Sequence, residues 1–212
     1  MNENDSTASP RHDGQDGFLM LNRREALLRS GATLAALGGG PALAWAADDG
    51  NANTFDEDSI LKAATDFFGN TTEGLAKVIE KAFKEQGRPN AYIKGEEASA
   101  AVTVGVRYGD GRLTMKNGGS ARVYWSGPSI GLDVGANASK VFTLVYKLPS
   151  TAAIFQRFPG VEGSLYYIGG ASINYQRSDG ITLAPIRLGV GLRSGANIGY
   201  VHYRREKSYL PF

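Results

Sequence analysis

The 212-residue chain has no cysteine and two histidines. Without cysteine there is no disulfide, no thiolate nucleophile and no sulfur ligand for zinc. His12 lies in a polar N-terminal tail, which leaves His202 as the one imidazole available to a folded domain. A multi-histidine metal site is thereby excluded, and a Ser-His-Asp triad would have to be built around His202. That residue alternates with Val201 and Tyr203 in a β pattern, which reads as a sheet-face or rim position. Strong charge is missing too. Lys and Arg number 23 against 21 Asp and Glu, so no basic field for nucleic acid exists. There is also no long unbroken apolar run. The best stretch, SGATLAALGGGPALAWAA from Ser30 to Ala47, carries Gly31, Gly38, Gly39, Gly40 and Pro41. A membrane-spanning helix needs about 20 well-apolar residues, and this stretch is too thin.

What is present in that region reads as export machinery. Residues 1–46 form a signal peptide preceded by a disordered polar extension, and either Met1 or Met20 can be the start. Arg23 and Arg24 precede the weakly apolar core, as in a twin-arginine signal. Asn22 and Ala26 stand where that signal usually has Ser or Thr and Phe, so general secretion stays open. Ala42-Leu43-Ala44 and Ala44-Trp45-Ala46 both fit a small-residue cleavage site, with Ala44 and Ala46 at the deciding positions. Cleavage after Ala46 removes five acids and four bases, leaving 166 residues with a net charge of +3. The expected location is the periplasm, with no transmembrane segment in the mature protein.

Residues 47–54 read as a polar linker, and residues 55–212 as a single domain. Ile60, Leu61, Ala64, Phe67 and Phe68 recur at helical spacing up to Gly69. Asn70 to Glu73 resembles a capping box for a second helix, whose stripe is Leu75, Val78, Ile79, Ala82 and Phe83. After Asn90 the period changes to two. Gly109-Asp110-Gly111, Asn117-Gly118 and Ser178-Asp179-Gly180 are hairpin signals. KVFTLVYK is a strongly β-prone run, STAAIFQRF a short helix between strands, and SLYYIGGASINY a long strand with a glycine pair. The expectation is a mainly β fold: a small antiparallel barrel of about eight strands, with two N-terminal α-helices and one short internal helix.

IRLGVGLRSGANIGY, from Ile186 to Tyr200, invites reading as a phosphate loop. Ser194 stands where a dinucleotide fingerprint needs its third glycine, no lysine stands where a P-loop needs one, and no helix pattern follows. Its alternation is that of a strand pair, with glycines where a small barrel bends or another element presses close. No cofactor and no metal site are expected. Among the acids, Asp110 and Asp179 are placed in turns, Glu96-Glu97 reads as a solvated loop, and Asp133 and Glu162 are the least explained. A carboxylate hydrolase would have to use that pair. Aromatics are more suggestive: Tyr124, Trp125, Tyr166 and Tyr167 supply amphipathic rings for a ligand groove, while ordinary strand composition, in which tyrosine is enriched, is the favoured explanation.

Two resemblances rest on these stretches. The paired helices, KVFTLVYKLPSTAAIFQRFPGVEGSLYYIGGASINY, and LAPIRLGVGLRSGANIGYVHY with its terminal Leu-Pro-Phe resemble the envelope integrity protein A (EipA) family of Gram-negative periplasmic proteins. That resemblance implies an eight-stranded periplasmic barrel, without established catalytic residues. It also implies a role in cell-envelope integrity connected with production or transport of lipopolysaccharide O-polysaccharide. SGPSIGLDVGANASKVFTLVYKLPSTAAIFQRF is similar in part to SYLF domains, which bind lipid. The expected function is non-enzymatic envelope support, with an envelope lipid or polysaccharide as partner. A lipid- or glycan-binding module is the alternative.

Overall fold

The computed structural model describes residues 52–133, 138–189 and 199–208, with side chains given throughout except at 99–104 and 129–133. Helix α1 (Glu57–Phe68) starts at Asp56, whose carboxylate accepts the Ser59 N–H at 2.8 Å, and stops at Gly69 with φ 92°. Helix α2 (Glu73–Gln86) is capped by Thr72, whose hydroxyl accepts from Leu75 N–H at 3.1 Å. The expected capping box at Asn70 is thus displaced by two residues. Glu73 is the first helical residue and not the third, so it cannot reach back as that motif requires.

Among the described residues nine strands follow: β1 (Ala91–Met115), β2 (Ser120–Asp133), β3 (Ser139–Tyr146), β4 (Arg157–Pro159), β5 (Tyr166–Ile168), β6 (Ala171–Ile173), β7 (Gln176–Ser178), β8 (Ile181–Leu188) and β9 (Tyr200–Arg204). Every pairing is antiparallel, in the order β4-β9-β2-β1-β3-β8-β6-β5, with β7 also on β8. Segment β1 plays two parts. Ala91–Glu97 pairs with β3 and Ala101–Thr114 pairs with β2. Its ends lie side by side: Lys116 N–H donates to Asn90 O at 2.9 Å, and Gly95 abuts Gly111. The chain therefore runs out and returns within β1 as the two arms of a hairpin. At the other side of the sheet, Gly160 after β4 bridges Gln176 at the start of β7, and Val161 N–H donates to Tyr175 O at 2.9 Å. The sheet curls until its edges meet there, and the result is the barrel-like form expected.

Period two then sorts side chains to two cores. Ala91, Ile93, Leu113, Val123, Val145, Leu183, Val201 and Phe158 fill the inside of the curl. Ile154, on the single-turn 3₁₀ helix Thr151–Ile154, enters the same core. Phe142, Leu144, Tyr146, Ala184 and Ile186 face the other way and are covered by Ile60, Ala64, Leu75, Val78 and Ile79 of the helices. This explains the unbroken hydrophobicity of β3: one face meets the interior and the other meets α1 and α2, so both faces are buried.

Two sequence expectations give way. SLYYIGGASINY is not one strand but the hairpin β5–β6, turned at Gly169 (φ 54°) and Gly170 (φ 81°). Two successive positive-φ residues make the tight hairpin turn that matches strand twist, and glycine supplies both without strain. Gly109-Asp110-Gly111 is not a turn but lies inside β1, opposite Trp125, Tyr124 and Val123. A Cβ on Gly109 would run into the Trp125 ring, and one on Gly111 into the Lys94 carbonyl, so these glycines make room for neighbours. The other two hairpin signals turn as expected, at Gly118 (φ 90°) and at Asp179 and Gly180 (φ 48° and 77°).

The expected signal peptide with Arg23, Arg24, Ala44 and Ala46 lies outside the described residues, as do residues 190–198 of the glycine-rich stretch and the terminal Pro211-Phe212. Of that stretch, β8 ends at Leu188, Gly189 has φ 73°, and the strand resumes at Tyr200. No described helix is long and apolar enough to cross a membrane.

Candidate functional site

The inside of the barrel carries one charged cluster. Alternation along β1 sends Ala91, Ile93, Gly95 and Glu97 inward, and the last of these meets Arg187 from β8. Glu97 is only 8% exposed. Its Oε1 accepts from Arg187 Nε and Nη2 at 3.3 and 3.0 Å, and its Oε2 accepts from Trp125 Nε1 at 2.8 Å. Arg107, 3% exposed, supplies a second positive charge nearby. Burial pushes the Glu97 carboxyl up, but Arg187, Arg107 and the indole N–H together outweigh it and hold the group below the ordinary carboxylate range. Burial likewise raises the Tyr203 phenol, which is hydrogen-bonded to Thr143. The space left among Glu97, Trp125, Thr143, Gln176, Arg187 and Tyr203 is about 10 Å³, room for one water at most. A carboxylate so paired and enclosed organises the interior.

Sequence reading missed this cluster. Glu97 is not half of the solvated Glu96-Glu97 loop expected but the fourth inward position of a period-two arm. The register starting at Ala91 and Ile93 would have identified it. Arg187 lies on the face of β8 opposite Ile186, and that face is the barrel interior.

The outer face of the same strands holds a groove of about 280 Å³. Tyr108 and Asp110 of β1, Tyr124 and Ser126 of β2, and Arg204 of β9 all project outward by the same alternation, and Glu96, Glu206 and Lys207 complete the rim. Asp110 is paired with Arg122 across the strands at 2.8 Å, and that guanidinium lies 5.4 Å from the Tyr124 ring centre. Ser126 is 2% exposed, and its hydroxyl has no hydrogen-bond partner. His202 stands opposite Ser126 in register, and its Nδ1 accepts from Arg204 Nε at 3.2 Å. Burial, Arg204 and Arg157 all push its imidazole below the ordinary histidine value. It is thus a sheet-face residue that stays neutral near pH 7.

The three tyrosines and one tryptophan expected in one groove are divided. Tyr124 lines the outer groove. Trp125 lies beneath it, with its ring turned inward to Glu97. Tyr166 and Tyr167 sit elsewhere, on β5. The Lys81 ammonium lies 3.6 Å from the Tyr166 ring centre, and Tyr175 meets that ring edge-on at 6.4 Å. Glu162 is exposed in the loop after β4, and Asp133 closes β2 opposite Ala101. Among the described residues no group of three or more His, Asp or Glu side chains is placed to hold a metal.

Comparison with known proteins fits this geometry. Residues 53–212 match the family model of envelope integrity protein A. A crystal structure of a beta-barrel-like, uncharacterised protein from Brucella abortus is 42% identical and superposes with a TM-score of 0.70, covering 76% of this chain and all of that one. No curated protein matches the chain. The helices, the curled antiparallel sheet and the family match over three quarters of the sequence agree that this chain belongs to the envelope integrity protein A (EipA) family.

Proposed function

We propose that this protein is a non-enzymatic component of the Gram-negative periplasm that supports envelope integrity by assisting production or transport of lipopolysaccharide O-polysaccharide. The observation that carries this reading is the packed barrel interior. Apolar side chains, the Glu97–Arg187–Trp125 cluster and Ile154 fill it, so the described part of the domain offers its outer surface to partners. The SYLF similarity suggests lipid binding, and a lipid carried inside a barrel would need an open apolar lumen. The space beside Glu97 in the described interior is about 10 Å³. Glycan recognition on the outer face is the form of the binding-module alternative that the groove favours.

Deletion of the gene should sensitise cells to detergent and to cell-wall antibiotics, with altered O-polysaccharide on a lipopolysaccharide gel. Unchanged behaviour across these stresses would sink the reading. Export is tested separately. N-terminal sequencing of periplasmic protein should give Ala47 as the first residue, and Arg23-Arg24→Lys-Lys should abolish export by a twin-arginine route while sparing general secretion.

A further inference from the structure

We infer that the outer groove is a saccharide-binding site, taking a neutral sugar unit of a glycan chain over Tyr108 and Tyr124. In register Tyr108 faces Ser126 and Asp110 faces Tyr124, so the two tyrosines are diagonal neighbours on one face of adjacent strands. Diagonal pairs stand about 7–8 Å apart, within joint reach of one ligand. Aromatic rings offer flat apolar faces to the C–H face of a sugar, and their hydroxyls keep a polar edge.

Charge selects among ligand classes. Around the groove, Glu96, Asp110 and Glu206 are matched by Arg122, Arg204 and Lys207. A balanced set gives no preference for an anionic headgroup. It does provide acceptors and donors side by side, which suits a ligand whose every hydroxyl both donates and accepts. The Ser126 hydroxyl points to the same class. It is almost fully buried at the groove without a hydrogen-bond partner, and buried polar groups are otherwise nearly always satisfied. A ligand hydroxyl would complete it. At about 280 Å³ the groove lies at the small end of ligand sites, which run from about 300 Å³ upward. That is enough for a sugar unit or two and short of what a pair of acyl chains needs.

This inference rests on the envelope reading only for where such a glycan is met. The test uses the purified whole chain: an array of neutral, amino and acidic oligosaccharides, calorimetry on the bound species, and phosphatidylglycerol and phosphatidylcholine vesicles in parallel. Neutral oligosaccharides should bind. Tyr124→Ala and Tyr108→Ala should each weaken them at least tenfold, Tyr124→Phe should retain most of the affinity, and Ser126→Ala should weaken it several-fold. Melting temperatures measured alongside identify any variant that fails to fold, and Ser126→Ala, the smallest change, then decides. Absence of neutral-glycan binding, binding that well-folded Tyr124→Ala leaves unchanged, or binding confined to acidic sugars or phosphatidylglycerol overturns the proposal. Any of these would leave a deletion phenotype standing, and a silent deletion would leave the binding result standing.

Discussion

At the scale of single residues, Glu97 is the most consequential side chain in the barrel. Removing its charge leaves Arg187 and Arg107 enclosed with no carboxylate between them. Breaking a buried pair from one side costs about 3–5 kcal/mol. Glu97→Gln should therefore lower stability by about that much in urea titration, and a loss under 1 kcal/mol would mean that water reaches the cluster. Acid should act in the same direction. Because the folded carboxyl sits below its ordinary range, its contribution is complete above that range and is lost as pH falls through the folded value. His202 adds an earlier decline. Its folded imidazole lies below the ordinary 6.5, so the unfolded chain takes up that proton first and stability begins to fall as pH drops past about 6.5. His202→Asn should flatten that upper part of the profile. NMR titration should place the His202 midpoint below that of a free imidazole.

At the scale of elements, the packing of α2 on the sheet turns on a glycine. A Cβ on Gly74, in the first turn of α2, would collide with the carbonyls of Ile168 and Gly169 at the β5–β6 turn. These are backbone atoms that cannot swing aside, so Gly74→Ala must shift the helix, at about 1–3 kcal/mol. A thermal melt would show it; wild-type stability would mean that the helix rides on the hairpin loosely. Both helices and their faces were legible in the sequence, because helical periodicity and glycine stops are local signals. The hairpin at Gly169-Gly170 and the run of β1 through Gly109-Asp110-Gly111 were not. A Gly-Gly pair within a β-prone run suits a bent strand as well as a tight turn. Gly109-Asp110-Gly111 has turn chemistry, but Gly109 is there for the Trp125 ring, 16 residues away in sequence, and Gly111 for the Lys94 carbonyl. Signals that depend on what packs opposite cannot be read along one strand. The same reason separates Tyr124 from Tyr166 and Tyr167: the composition of the groove was visible, but which rings share a face depends on the way the sheet curls.

At the scale of the whole molecule, the barrel and its helical cover behave as one object with two cores back to back across β3 and β8. The helices are not an accessory. A chain starting at Ala91 would expose Phe142, Leu144, Ala184 and Ile186, all fully buried at present. That truncated chain should aggregate or bind a hydrophobic dye on expression, and a monodisperse, cooperatively unfolding product would contradict the shared-core arrangement. The family-level architecture was legible at this scale because barrel closure, unlike individual contacts, follows from strand number, glycine content and the lack of any other stabilising device.

The meeting of sheet edges at Gly160 and Gln176 has a mechanical meaning. Neighbouring strands elsewhere are held by ladders, as in the eight-residue β3 and β8, while this junction, among the described residues, is one bridge reinforced by the Val161 N–H to Tyr175 carbonyl bond and by side-chain bonds from Tyr175 N–H to the Ser164 hydroxyl and from the Ser178 hydroxyl to Gln156. A ring of staves with one light fastening yields at the fastening. Under a pull between the ends of the domain the curl should unroll from that line first, leaving β1, β2, β3 and β8 zipped. Force spectroscopy would then see a small early yield before the main rupture, as in a hoop that springs open before it breaks.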